Sequence, residues 1–179
     1  MVDVGTNSIT QAEDALIELL ANSAAFRTFV GAANATAAKA RIYLYDIPST
    51  AEDQDGYTDA EFVALFPCAI IGPPDDGEMF RGTYTANGVN YEYTVDVAFS
   101  VRFERQRSGT DTDQAAVRKL CNAIGDVIDQ LMLSSGTGGH FAFTDVSPVA
   151  APYVGEYGRD QSLGVVEGWK WLFRREVVE

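Results

Sequence analysis

The chain has one histidine, His140, and two cysteines, Cys68 and Cys121, in 179 residues. A lone imidazole excludes a His-rich metal site and any mechanism that uses a histidine pair. His140 follows Gly138-Gly139 beside Phe141, a structural setting, and no Gly-x-Ser-x-Gly elbow is present to supply a nucleophile for it. Each cysteine stands alone inside an apolar pattern and reads as a buried thiol. No apolar run approaches the ~18 residues of a membrane span. No basic segment followed by an apolar one opens the chain, so a cytoplasmic compartment is expected.

Cations are also scarce. Lys and Arg number 13 against 26 Asp and Glu, a formal net charge of −13. General nucleic-acid binding relies on Lys and Arg to neutralise phosphates, so the balance counts against it. Solubility accounts for the charge, and so does a surface that lies near DNA without holding it.

Ligand motifs are missing as well. The Gly136-Thr-Gly-Gly139 run follows a helical pattern, whereas a phosphate cradle must lead into a helix N-terminus. An EF-hand starting at Asp53 needs Gly at its sixth position and an acid at its twelfth, and these are Thr58 and Ala64. Asp75-Asp76-Gly77 is a turn signal. Asn34-Ala-Thr36 matches a glycosylation sequon, with no secretory signal to give it meaning. No cofactor or metal is expected.

What the chain does have is alternation. From Tyr91 to Phe103 every odd position is large and apolar: Tyr91, Tyr93, Val95, Val97, Phe99, Val101 and Phe103. That is the signature of a half-buried strand, and at ~3.3 Å per residue it spans roughly 40 Å. Asn87-Gly88 ahead of it favours a two-residue type I′ hairpin turn. A turn there sets Tyr84 opposite Tyr91, Gly82 opposite Tyr93 and Phe80 opposite Val95. The first arm runs out near Glu78, so the stretch from Val97 to Phe103 overhangs its partner, and its edge groups need another one.

Other elements follow from local signals. Thr10-Gln-Ala-Glu13 has the form of a capping box, which predicts a helix over 10–22. Asn22-Ser23 restarts a short helix that stops at Gly31, and the Ala-rich segment 32–40 fits helix or loop. Strands are predicted near 41–47, 66–71, 78–85, 90–105 and 163–177, with a further strand over 141–146. Pro67 places its end of the 66–71 strand at an edge or a first position. Residues 49–61 form an exposed acidic loop. Thr110-Asp-Thr-Asp113 caps the longest helix, 111–133, with Val117, Leu120, Ile124, Val127, Ile128 and Leu131 on one face. In the last strand Leu163, Val165, Trp169, Trp171, Phe173 and Val177 share one face and read as core. One-sided apolar strands require a covering layer. The chain is therefore expected to be a single α+β domain over 1–179, with residues 140–179 as a C-terminal strand region. Its twisted, mainly antiparallel sheet has a long hairpin and is packed on one face by two principal helices.

The order of these elements carries a resemblance. With the local forms Ala15-Leu-Ile-Glu-Leu-Leu, Phe29-Val-Gly31, Arg41-Ile-Tyr-Leu-Tyr-Asp-Ile-Pro48, Phe66-Pro-Cys-Ala-Ile-Ile71 and Val117 to Leu133, the chain from about 10 to 175 resembles the tail terminator or tail completion proteins of tailed bacteriophages. The acidic insert at 49–61 and the extended tail after Gly139 depart from the family's compact pattern. The resemblance implies a structural virion protein of the neck, not an enzyme. It implies a homo-oligomeric ring, a hexamer, that ends the tail tube and docks to a connector or head-completion protein, while DNA passes without specific binding. It implies residence in the tail or neck of the virion, and in host cytoplasm during assembly. The expected assembly contacts are Asp53, Asp55, Asp59 and Glu61 in the loop, and Val97, Phe99, Val101, Arg102, Phe103, Arg105 and Arg107 on the overhanging arm. The alternatives are a small hydrolase using carboxylates among Asp53, Asp55, Asp75 and Asp76, and a monomeric adaptor that binds a partner through a sheet edge.

Overall fold

The architecture follows from how one strand finds partners along its whole length. The computed structural model describes residues 8–48, 59–87, 90–106, 113–135, 143, 145–149, 153–157 and 164–178. Its elements are α1 (Ser8–Asn22), α2 (Ala24–Val30), α3 (Ala35–Lys39), β1 (Ile42–Leu44), α4 (Asp59–Ala64), β2 (Cys68–Gly72), β3 (Phe80–Asn87), β4 (Asn90–Gln106), α5 (Asp113–Ser135), β5 (Asp145–Pro148), β6 (Tyr153–Tyr157) and β7 (Gly164–Val178). The strands make one sheet in the order β1-β2-β4-β7-β5, with β3 also on β4 and β6 also on β7. Only β1 with β2 is parallel; the other pairings are antiparallel, so the fold is α+β with a mainly antiparallel sheet.

The central strand β4 corrects the expectation of a free edge. Along one edge β3 pairs with it from Asn90 to Val97, and β2 takes over from Ser100 to Glu104. Between them the Ala98 amide donates to the Met79 carbonyl at 2.8 Å. The other edge is paired with β7 from Thr94 to Gln106. Thus the segment that outlasts β3 is a central strand, and its unpaired groups are satisfied within the chain.

The hairpin register differs from the expected one by one residue of turn. Asn87 faces Asn90, Tyr84 faces Tyr93, Gly82 faces Val95 and Phe80 faces Val97. Displacing the turn by one residue changes every pairing by two positions, which leaves each side chain on its original face. The apolar pattern therefore could not distinguish the two registers; only turn chemistry could, and it pointed to Asn87-Gly88.

On the helix side, Val97, Phe99, Val101 and Phe103 are buried together with Ala12, Leu16 and Leu20 of α1 and Leu120, Ile124 and Val127 of α5. The spacing of Ala12, Leu16 and Leu20 is that of one helix face. Ser23 caps α2 by accepting the Phe26 amide at 3.2 Å. Gly31 closes it at φ 68°, with the Ala32 amide donating to the Arg27 carbonyl and the Gly31 amide to that of Thr28. This is a Schellman stop, and its left-handed residue favours glycine. Phe26 and Phe29 of α2 meet the edge of Phe103 at centroid distances of 6.3 and 6.4 Å. Phe143 meets Phe173 at 5.8 Å. Trp169 and Trp171 lie opposite Phe103 and Val101 and are half-buried against this core.

Several boundaries move. Helix α1 begins at Ser8, so Thr10 lies inside its first turn and the predicted capping box does not mark its start. The Ala-rich segment is helical over α3, where Asn34 accepts the Ala37 amide at 2.9 Å. The asparagine of the apparent sequon is thus a helix cap. Strand β1 stops after Leu44 because Tyr45 turns out at φ 68°. The predicted 141–146 strand is observed as β5, which starts at Asp145, and β6 lies in a stretch read as punctuated loop. The Gly-rich run 136–139, His140, Phe141 and the capping residues Thr110 to Thr112 lie outside the described residues.

Residues 59–61 were expected in the acidic loop and instead open α4. That helix exists because Phe62 has a surface to bury. It packs on Phe66 at 5.0 Å and with it covers Cys68, Ile70 and Val166 in a second small core, separate from the one beneath α1 and α5.

Candidate functional site

Two surfaces combine exposure with chemistry, and both are built around β4. The first is the sheet face opposite α1 and α5. Even-numbered residues of β4 project there: Ala98, Ser100 and Glu104 are buried, and Arg102 is part-exposed. Arg102 lies 3.6 Å from Asp46 Oδ1 and 3.7 Å from Glu104 Oε1. Lys170 of β7, opposite Arg102, pairs with Asp75. Asp76 accepts the Glu78 amide at 3.1 Å, and Gly77, at φ 75°, donates to Pro74 across the turn at 3.0 Å. The two candidate hydrolytic acids in the described residues are therefore engaged in a surface ion pair and a turn.

Cys68 is opposite Glu104 and fully buried. Burial, with the nearby Glu104 charge adding to it and Arg102 and Arg41 opposing it, pushes the thiol well above its ordinary range. A thiol held protonated is a packing group, not a nucleophile. Cys121 was expected to be buried too, but it is only half-buried on α5, with its thiol raised by partial desolvation.

The second surface is a groove of about 740 Å3 at the end of the sheet. Helix α2 gives it Thr28 and Phe29, the turn after α4 gives Phe66, and α5 gives Lys119, Leu120 and Ala123. Arg105, near the end of β4, forms part of the wall. Its Nε and Nη2 donate to Glu167 Oε2 at 3.1 and 3.0 Å, and Glu167 is fully buried. Removing one partner of such a buried pair strands the other charge, so the pair holds Arg105 in place.

The predicted contact residues separate into distinct groups. Val97, Phe99, Val101 and Phe103 are fully buried in the subunit's own core, so they cannot form an exposed contact surface in this fold. Their alternation reports burial, and the overhang that suggested another role is closed by β2 and β7. Arg102 and Arg105 remain partly accessible on different surfaces. Asp59 starts α4, and Glu61 is exposed on it. Asp53, Asp55 and Arg107 lie outside the described residues. The sequence reading missed the groove and the two buried acids. For Glu167 a signal existed: it occupies the same parity as Leu163, Val165, Trp169 and Trp171, a carboxylate in an apolar series. No such signal marked Glu104, which sits where a solvent-facing polar residue belongs.

Among the described residues no cluster of His, Cys, Asp or Glu could hold a metal ion, and no helix is long and apolar enough to cross a membrane. No family model matches the sequence, and a search of curated proteins finds no match.

Proposed function

We propose that this chain is a structural subunit of the neck of a tailed bacteriophage, of the tail terminator or tail completion kind. It assembles as a ring that ends the tail tube and meets the connector. The observation that carries this reading is the order of elements: the helices α1 to α3, the short strand β1, α4, the short strand β2, a hairpin with one long arm, the long helix α5 and the closing strand β7. Those elements combine in a single sheet with α1 and α5 on one face and α4 against the other. A subunit built this way has a rigid centre, because β4 is held on both edges. The net charge of −13 suits a ring through which DNA passes without being held.

The carboxylate hydrolase is the weaker alternative, since Asp75 and Asp76 serve the surface and a turn. The adaptor reading would rest on β1 at the end of the strand order, where Leu44 and Tyr45 are exposed. That edge is only three residues long, little for a peptide to pair with; β3, eight residues long and paired among the described residues with β4 alone, is the longer edge such a partner would use.

Electron microscopy of particles assembled with and without the chain tests the proposal. Its loss is expected to give overlong tails or tails unattached to heads, and Glu61→Lys on the exposed face of α4 is expected to give a milder form of the same defect. Tails of normal length joined to heads in the absence of the chain would overturn the reading.

A further inference from the structure

Three outer strands of the sheet are short: β1 has three residues, β5 has four and ends at Pro148, and β6 has five. Shortness and proline are among the devices that keep an outer strand from pairing with another chain. Strand β3 has neither. It runs eight residues, Phe-Arg-Gly-Thr-Tyr-Thr-Ala-Asn, in unbroken register with β4 from Phe80 opposite Val97 to Asn87 opposite Asn90, so no bulge twists it away. Its one charged residue, Arg81, is paired with Glu78 at 2.8 Å. Phe80, Arg81 and Gly82 are exposed, and among the described residues β3 pairs with β4 alone.

One hydrogen bond fixes which backbone groups of β3 are turned outward. The Ala98 amide donates to the Met79 carbonyl at 2.8 Å, and these two residues stand one step beyond Phe80 and Val97 in the same register. Odd-numbered residues of β3 therefore direct their N–H and C=O groups to β4. Alternation turns those of Phe80, Gly82, Tyr84 and Ala86 to the other edge. None of these residues is proline, so each offers both a donor and an acceptor.

We propose that this edge pairs antiparallel with β3 of a second copy of the chain, about a two-fold axis at Thr83. Outward groups meet outward groups only when even-numbered residues face even-numbered ones, and the register that engages all of them sets Phe80 opposite Ala86 and Gly82 opposite Tyr84. Each large residue then meets a small one. Arg81 faces Thr85, and the Arg81 residues of the two copies are kept roughly 13 Å apart along the strands, so no like charges oppose each other. The strand is its own complement, which is what a two-fold interface requires. Such a contact closes on two copies, whereas a ring joins its copies head to tail. It therefore goes beyond the ring reading, does not rest on it, and describes the chain free in solution.

Sedimentation of the purified full chain tests the pairing. At about 100 µM a species of twice 19.4 kDa is expected, dissociating on dilution. Tyr84→Pro removes an outward donor and leaves the bonds to β4 in place, so it should give a folded monomer, with circular dichroism as the check on folding. Thr85→Lys sets a cation opposite Arg81 of the second copy while facing Glu92 in its own chain, and should weaken the dimer roughly fivefold. Thr83→Cys reports the register itself. On the axis it faces its own copy in a pair without hydrogen bonds, about 4.5 Å between Cα atoms, which a disulfide can span. Mild oxidation should cross-link Thr83→Cys into a dimer, and should leave Arg81→Cys and the unsubstituted chain uncross-linked. A monomer at about 100 µM overturns the proposal. So does a dimer or larger assembly in which Thr83→Cys cross-links no faster than Arg81→Cys, because the copies then meet elsewhere. A larger assembly that keeps the Thr83→Cys cross-link supports the contact. Particle images report separately, since overlong or unattached tails in the absence of a chain that proves monomeric would leave the neck assignment standing and remove only this pairing.

Discussion

The two faces of β4 differ more in kind than in burial. Toward α1 and α5, Val97, Phe99, Val101 and Phe103 are 0% exposed and purely apolar. Toward the other side, Ala98 and Ser100 at 6% and 2%, and Glu104 at 0%, are almost as inaccessible, yet two of the three are polar. Burial on the first face comes from helices laid on it, and on the second from α4, Phe66 and a sheet of ion pairs. A buried apolar residue contributes through the surface it removes from water, whereas a buried polar one must first recover its lost hydration. Adjacent residues of one strand should therefore respond to truncation very differently.

The largest contrast is between neighbours. Phe99→Ala should cost about 3–5 kcal/mol, because it opens a cavity among α1, α5 and Phe173. Ser100→Ala should lie within about 1 kcal/mol of wild type or be stabilising, since its buried hydroxyl oxygen makes no hydrogen bond. Urea denaturation midpoints read both. Equal losses at the two positions would show that the second face is packed as tightly as the first.

That asymmetry also explains what could be read from residues alone. Strict alternation located β4, and Ser23 and Gly31 bounded α2, because each is a local signal with one physical meaning. The helix face of α5 was legible from the spacing of Leu120, Ile124 and Val127, all buried. The partners of β4 were not, since β2 and β7 come from distant parts of the chain and no local rule ties Ser100 to Gly72 or to Leu172. Helix α4 was hidden for a similar reason: Phe62 sits at the end of an acidic stretch, and only the second core gives it something to pack on. The groove draws on α2, α4, β4 and α5 at once, so nothing short of the assembled fold could show it.

The second contrast compares two cation pairs of the same chemical type. Arg105→Ala leaves Glu167 charged in a fully buried position and should cost about 3–5 kcal/mol. Lys170→Ala breaks a pair whose acid, Asp75, is 59% exposed, and should cost less than about 1 kcal/mol. The same midpoint measurement at low and high salt separates them, because salt screens an exposed pair and hardly touches a buried one. A salt-sensitive, small loss for Arg105→Ala would mean that water reaches Glu167 and that the wall of the groove is looser than its geometry.

The smallest expected effect lies on the helix-covered side, in α1. Glu13 of α1 is half-buried, and its carboxyl is raised above its ordinary value first by desolvation and then by the neighbouring Asp14 charge. A raised folded-state value means that the native chain binds the proton more tightly than the unfolded one. The associated stability is therefore fully present below the unfolded value, ~4.3 for a free Glu, and is lost as pH rises through the folded one. At neutral pH the ionised side chain is a mild liability, so Glu13→Gln should raise the thermal midpoint slightly at pH 7 and leave it unchanged near pH 4, where the carboxyl of the wild type is largely protonated. A gain that persists in full at pH 4 would point to helix propensity or the Gln amide rather than charge. A loss at pH 7 would show that the carboxylate has a favourable partner, and that the covered face accommodates charge as readily as the face bearing Arg102 and Glu104.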